Sequence, residues 1–283
     1  MAITRHLAKL LLREHRHRPI AGSILLLARQ TVFLKPEEAI ALVNAEGFEI
    51  RADARVETDR HTARGVAMGY ISDVSFFSLF SPGKIEVLDF TPYQGATIVH
   101  DLCMPLPDRL LGAFDFIYNG SVLDNLFDSA SAMDNITRLL KPAGVAFHYE
   151  GARHFGWAYA LFPPDWFFDY AVVNEFEDCK VYYCTHENIH DSDWTVYLWM
   201  PYEQKPDGKF TVTTRMRHPE DSVVVAILQR GERTSIGRRP IQINYRSDHK
   251  PYIKQLIHFT RDGRKVAGTP VKEWPGYWHV GKL

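Results

Sequence analysis

Between Lys84 and His148 short apolar runs alternate with helix-length stretches, and few folds accept that spacing. Ile85 to Leu88, Ala96 to Val99 and Phe114 to Tyr118 are each followed within a residue or two by a polar group or a glycine. Buried parallel strands have this form when their carboxyl ends open into a ligand crevice. A fourth run, Val145 to His148, comes after a helical segment and the turn Lys141-Pro142-Ala143-Gly144. Strands separated by helices in this way predict a doubly wound α/β sheet.

Asp89 closes the run Ile85-Glu86-Val87-Leu88. His100-Asp101-Leu102 follows with Pro105 and Pro107, then Phe114-Asp115-Phe116-Ile117, a glycine-bearing loop, and Arg138-Leu139-Leu140-Lys141-Pro142-Ala143-Gly144. This order resembles the class I S-adenosylmethionine-dependent methyltransferases, especially bacterial members associated with polysaccharide or secondary-metabolite gene clusters. The resemblance extends over roughly residues 20–230, and Asp101 to Gly144 is its most specific part. It implies a Rossmann-like methyltransferase sheet with an antiparallel closing strand and S-adenosyl-L-methionine as cofactor. The implied reaction is methyl transfer to oxygen or nitrogen of a small molecule, such as a sugar or a natural-product intermediate.

A carboxylate at Asp89 can accept from both hydroxyls of a ribose, as in nucleotide folds; the competing reading is a turn-forming Asp before Thr91-Pro92. The resemblance places Asp101 at the adenine amine and Leu102 beside the ring, against a plain Asx turn before Cys103. Asn119 and Gly120 form the lip of the crevice. After the first predicted strand, Gly22 to Ala28, the small residues that would let the backbone approach the methionine part are replaced by Ala28, Arg29 and Gln30. They resemble a Gly-Arg-Gln-Thr-Val variant of that loop, or they only cap local structure. Beyond the fifth strand His148, Glu150, Arg153, His154, Trp157 and Tyr159 are crowded together. His148, His154 and Tyr159 are the candidate proton acceptors, although a sulfonium leaves readily and alignment alone suffices for many methyl transfers. Phe155 to Pro163 departs from the more polar run of the family. The alternative function is therefore a methyltransferase-fold protein without methyl transfer: a non-catalytic scaffold or binding subunit, or an enzyme using the same crevice for another reaction. A dinucleotide enzyme is a third, weaker reading, since no G-x-G-x-x-G is present.

The chain has 283 residues, which favours one core with additions. The expected parts are an N-terminal helix in residues 1–20, a methyltransferase-like α/β domain in 21–230, and a C-terminal tail or wrap in 231–283. A helix is expected from Thr4 to His15, others over Val122 to Phe127, Ser129 to Leu140 and Asp165 to Asn174. Later strands are expected near Lys180 to Cys184, Trp194 to Met200 and Ser222 to Gln229. Phe76, Phe77 and Phe80 read as helix core. A formal charge of -1 argues against nucleic acid as a partner. Three cysteines without a C-x-x-C pair suggest neither a disulfide framework nor a metal site. No run is long enough for a membrane span and the N-terminal residues do not form a signal peptide, so the expectation is a cytoplasmic protein with a small-molecule acceptor. The basic residues Arg16 to Arg18 and the tail leave room for a homodimer.

Overall fold

The computed structural model describes residues 2–153, 158–190, 193–213, 221–260 and 268–283. The protein is of the α/β class and divides into two compact units, residues 1–141 and 142–283.

The first unit begins with β1 (Ala2–Ile3) and α1 (Arg5–His17). Thr4 caps the helix by accepting the Leu7 amide at 3.2 Å, and Leu7, Leu10, Leu11 and Leu12 bury its apolar face. Arg13 pairs with Glu46 at 3.2 Å and Arg16 lies over the Phe48 ring, so part of the N-terminal basic patch is held locally. The chain continues through β2 (Ser23–Leu27) and β3 (Thr31–Val32), the latter parallel to β1. Helix α2 (Pro36–Ala45) has proline at its start and Glu37 and Glu38 in its first turn, where they suit the helix dipole. Two short helices, α3 (Ala63–Met68) and α4 (Asp73–Ser78), precede β4 (Lys84–Asp89). Phe76 and Phe77 are fully buried, and Phe77 packs against Phe116 and Tyr118, which is the expected core role. Then come β5 (Ile98–Val99), β6 (Phe114–Gly120) and α5 (Ser129–Leu139).

Strands β6, β2, β4 and β5 are parallel neighbours in that order. Ile24 to Leu27 are buried without a polar break, as a central parallel strand requires. The chain builds outward from β2 to β4 to β5, then crosses to the other flank of β2 with β6. The order therefore reverses between β2 and β6, and open α/β sheets bind ligands at the carboxyl ends beside such a reversal.

Two local expectations are corrected. The helix expected over Val122 to Phe127 is a single 3-10 turn, Leu123–Asn125. Ser121 is left-handed at φ 62°, and Asn125 donates to the Ser121 carbonyl at 2.8 Å; such side-chain bonds compete with helical ones. Helix α5 is capped as expected, Asp128 Oδ1 accepting the Ser131 amide at 3.1 Å. The segment Lys141 to Gly144 is not a free turn, because β7 (Leu140–Arg153) starts as soon as α5 ends. Ala143, at φ 65°, donates its amide to the Arg230 carbonyl at 2.8 Å, and this pairing extends the strand.

The second unit contains most of β7, then α6 (Pro164–Val173), β8 (Asp178–His186), β9 (Thr195–Trp199), the hairpin β10 (Tyr202–Gln204) and β11 (Phe210–Val212), and β12 (Asp221–Gln229). Helix α7 (Lys250–Thr260), β13 (Thr269–Pro270) and β14 (Tyr277–Lys282) complete it. Its order is β13-β14-β9-β8-β12-β7, every neighbouring pair antiparallel. Strand β12 opposes both β7 and β8, which makes it the antiparallel closing strand. The C-terminal segment is more than a wrap: β14 adds a strand to β9, and α7 packs on α6 and β8. Arg246 forms a buried ion pair with Asp169 of α6 and lies 3.4 Å above the Tyr252 ring centre. Arg238 is paired with Glu175 at 2.8 Å.

Candidate functional site

At the end of β2 the Ala28 amide donates to the Leu88 carbonyl of β4 at 2.7 Å, and Ala28 then takes a left-handed φ of 53°. That conformation costs an alanine about 1 kcal/mol and redirects the chain sharply. The two residues that follow turn into the interior. Arg29 meets Asp73 at 2.8 Å, with both side chains buried. Asp73 also accepts the amides of Gln30 and Val74, each at 2.8 Å. Burial pushes the Asp73 carboxyl up, while Arg29 and the two amides pull it down. The short contacts argue for an ionised carboxylate held by three donors.

Gln30 is fully buried, and its amide nitrogen donates to the Leu27 carbonyl at 3.0 Å. Its amide oxygen has no hydrogen-bond partner among the described residues and faces Gly120 on β6. A Cβ at Gly120 would lie 2.4 Å from that oxygen and 2.7 Å from Cε1 of Tyr118. The absence of a side chain at Gly120 thus makes room for the Gln30 amide across the reversal.

Asp89, half-buried at the end of β4, accepts the Thr91 amide through Oδ1 at 3.1 Å and has no partner on Oδ2 among the described residues. Asp101, exposed beyond β5, makes the Asx turn by accepting the Cys103 amide at 2.9 Å. Leu102 is buried, its carbonyl held by Asn135 at 2.8 Å. Asn119 is buried and accepts the Val122 amide at 3.1 Å. Next to it Ser121 donates to buried Asp124 at 2.6 Å. Ala28, Gln30, Asn119 and Gly120 therefore meet at the reversal, Asp89 lies on the adjoining strand, and Asp101 follows the next one. Asp73 and Asp124 were not singled out by sequence reasoning. Asp73 looks there like any first-turn helical acid, and its partner Gln30 is 43 positions away.

In the second unit His148 is wholly buried on β7, with its ring 5.3 Å from that of Phe167. Burial pushes its pKa down to about 3, so the imidazole is neutral near pH 7. Tyr159 is exposed, and His154 lies outside the described residues. Among the described residues no group of three or more His, Cys, Asp or Glu is placed to hold a metal ion, and no helix is long and apolar enough to cross a membrane.

No family model and no curated protein matches the sequence. Solved structures do match in shape. One is the CMeT domain of the citrinin polyketide synthase, with 10% identity over 80% of this chain and 52% of that chain, at a TM-score of 0.40. A second is a SAM-dependent methyltransferase from Archaeoglobus fulgidus, with 9% identity over 80% of this chain and 95% of that one, at 0.41. A third is phosphoethanolamine N-methyltransferase 2 of Haemonchus contortus, with 14% identity over 61% of this chain and 37% of that one, at 0.35. The chain spans about half the length of the first of these.

Proposed function

We propose that the chain binds S-adenosyl-L-methionine at the carboxyl ends of β2, β4, β5 and β6, and transfers its methyl group to oxygen or nitrogen of a small molecule. The observation that carries this reading is the reversal of strand order at β2 and β6 with a carboxylate at the end of each of the next two strands, Asp89 and Asp101. The residues present fit the cofactor. Asp89 has an uncommitted Oδ2 for ribose hydroxyls, and Asp101 has an exposed carboxylate for the adenine amine. When bound, the cofactor supplies an electrophilic methyl group with a good leaving group attached.

The protein's part is then to bind, orient and exclude water. A buried histidine with a pKa of about 3 takes up no proton near neutral pH, which favours alignment over base catalysis at His148. A second reading, a methyltransferase-fold binding or scaffold subunit without transfer, draws on the interior commitments of Arg29 and Gln30. The two separate when the protein is incubated with methyl-labelled S-adenosylmethionine and a panel of sugars and amines. Label transferred to an acceptor, with S-adenosylhomocysteine formed in equal amount, supports the enzyme. Cofactor bound but never turned over on any acceptor supports the second reading.

A further inference from the structure

Within the first unit, Arg29 and the segment of residues 51–85 line a cavity of about 430 Å³. Small-molecule sites fall in the range of about 300–1,000 Å³. Of the four lining serines, Ser78 already donates its hydroxyl to the Ser75 carbonyl at 2.8 Å, whereas the other three are engaged on one side only. Ser72 Oγ accepts the Ser75 amide at 3.0 Å, Ser75 Oγ accepts the Glu57 amide at 3.0 Å, and Ser81 Oγ accepts the Gly83 amide at 3.2 Å. Each hydroxyl has thus used an acceptor lone pair on the backbone, and none donates its own hydrogen to another described residue. The three residues are only 7%, 3% and 2% exposed. Arg29, 6% exposed, pairs with Asp73 through Nη2, but its Nε has no acceptor among the described residues. Buried donors left unmade cost stability, and a site that collects several of them is suited to a ligand rich in acceptors.

Charge selects the ligand further. Arg51 is neutralised by Asp53 at 2.7 Å. Arg55 and Arg60 also line the cavity, and neither has an anionic partner among the described residues; Glu57 is the remaining acid of the lining. Hydroxyl donors together with guanidinium groups match the several oxygens of a phosphate. We propose that this cavity binds a phosphate group, free or as the monoester of a small molecule. The hydroxyls of Ser72, Ser75 and Ser81 donate to it, and Arg55 and Arg60 balance its charge. The proposal does not rest on the methyl-transfer reading, and its test uses no cofactor.

The test is calorimetric titration of the full chain with inorganic phosphate and with glucose 6-phosphate, at ionic strength held constant with sodium chloride. Saturable binding of at least one probe at one site per chain is expected, weakened about tenfold or more both in the exposed-residue double variant Arg55→Gln/Arg60→Gln and in Ser75→Ala. Tighter binding of the ester assigns a phosphorylated small molecule, and equal binding assigns the phosphate alone. Thermal unfolding of the unliganded variants establishes that they are folded. Absence of saturation by either probe below about 10 mM, or equal binding by wild type and both folded variants, would overturn the proposal.

Discussion

Gln30 and Gly120 meet so closely that one added methyl group would have to displace a neighbour. In a packed interior such overfilling costs about 1–3 kcal/mol. Gly120→Ala is therefore expected to lower the urea unfolding midpoint by an amount worth about 2 kcal/mol. The loss should be partly recovered in Gly120→Ala/Gln30→Ala, because Gln30 Oε1 is then gone while Tyr118 remains. Simple additivity of the two changes would show that the contact is not the cause. The sequence marked Gly120 as part of the lip, and Ala28, Arg29 and Gln30 as a departure from a glycine-rich loop. It could not show why the departure is tolerated. The answer lies in a contact between residues 90 positions apart and in an ion pair to Asp73, neither of which leaves a local pattern. Asp101 shows a different limit: the turn and the ligand role use the same residue type, and the observed Asx bond to Cys103 occupies just one of its oxygens.

Among the elements, those with a single reading of their apolar pattern were legible. Strands β2, β4, β6, β8 and β12 fall within a few residues of the runs that announce them, since each buries consecutive apolar residues. The failures occur where hydrogen bonds rather than burial decide. Ser121 and Asn125 hold the chain out of a helix, and the Arg230 carbonyl draws Ala143 into β7. The C-terminal segment looked turn-rich and basic, yet β14 and α7 are integral to the second unit. Strand β7 carries its own prediction. His148 is neutral when buried there, with a pKa near 3 against about 6.5 when unfolded. A depressed folded pKa contributes stability that is complete above the unfolded value and is lost as pH falls below it. The stability difference between wild type and His148→Gln should thus shift against the wild type by about 1.4 kcal/mol per pH unit below pH 6.5. Raised Asp169, at about 6, works in the opposite sense over part of that range, so the difference between the two proteins is the quantity to follow. Urea unfolding at pH 7, 6 and 5 reads it, and a pH-independent difference would refute the burial of a neutral imidazole.

For the molecule as a whole, 33 basic and 34 acidic residues nearly balance, so net charge gives no strong long-range pull on a ligand of either sign. Recognition must come from built sites. The parallel order of the first unit could be anticipated from strand runs and spacing, and the antiparallel closing strand of the second is the one the resemblance implied. The identity of any small molecule the chain acts on could not be anticipated, since binding sites in such folds are set by loops whose side chains follow no period. The most direct question is whether the carboxyl ends of the parallel strands hold S-adenosylmethionine. Calorimetric titration of wild type and Asp89→Ala answers it. Saturable micromolar binding is expected, weakened about tenfold or more when the Asp89 carboxylate is removed. No binding of S-adenosylmethionine or S-adenosylhomocysteine, or equal binding by the variant, would contradict the assignment of this crevice.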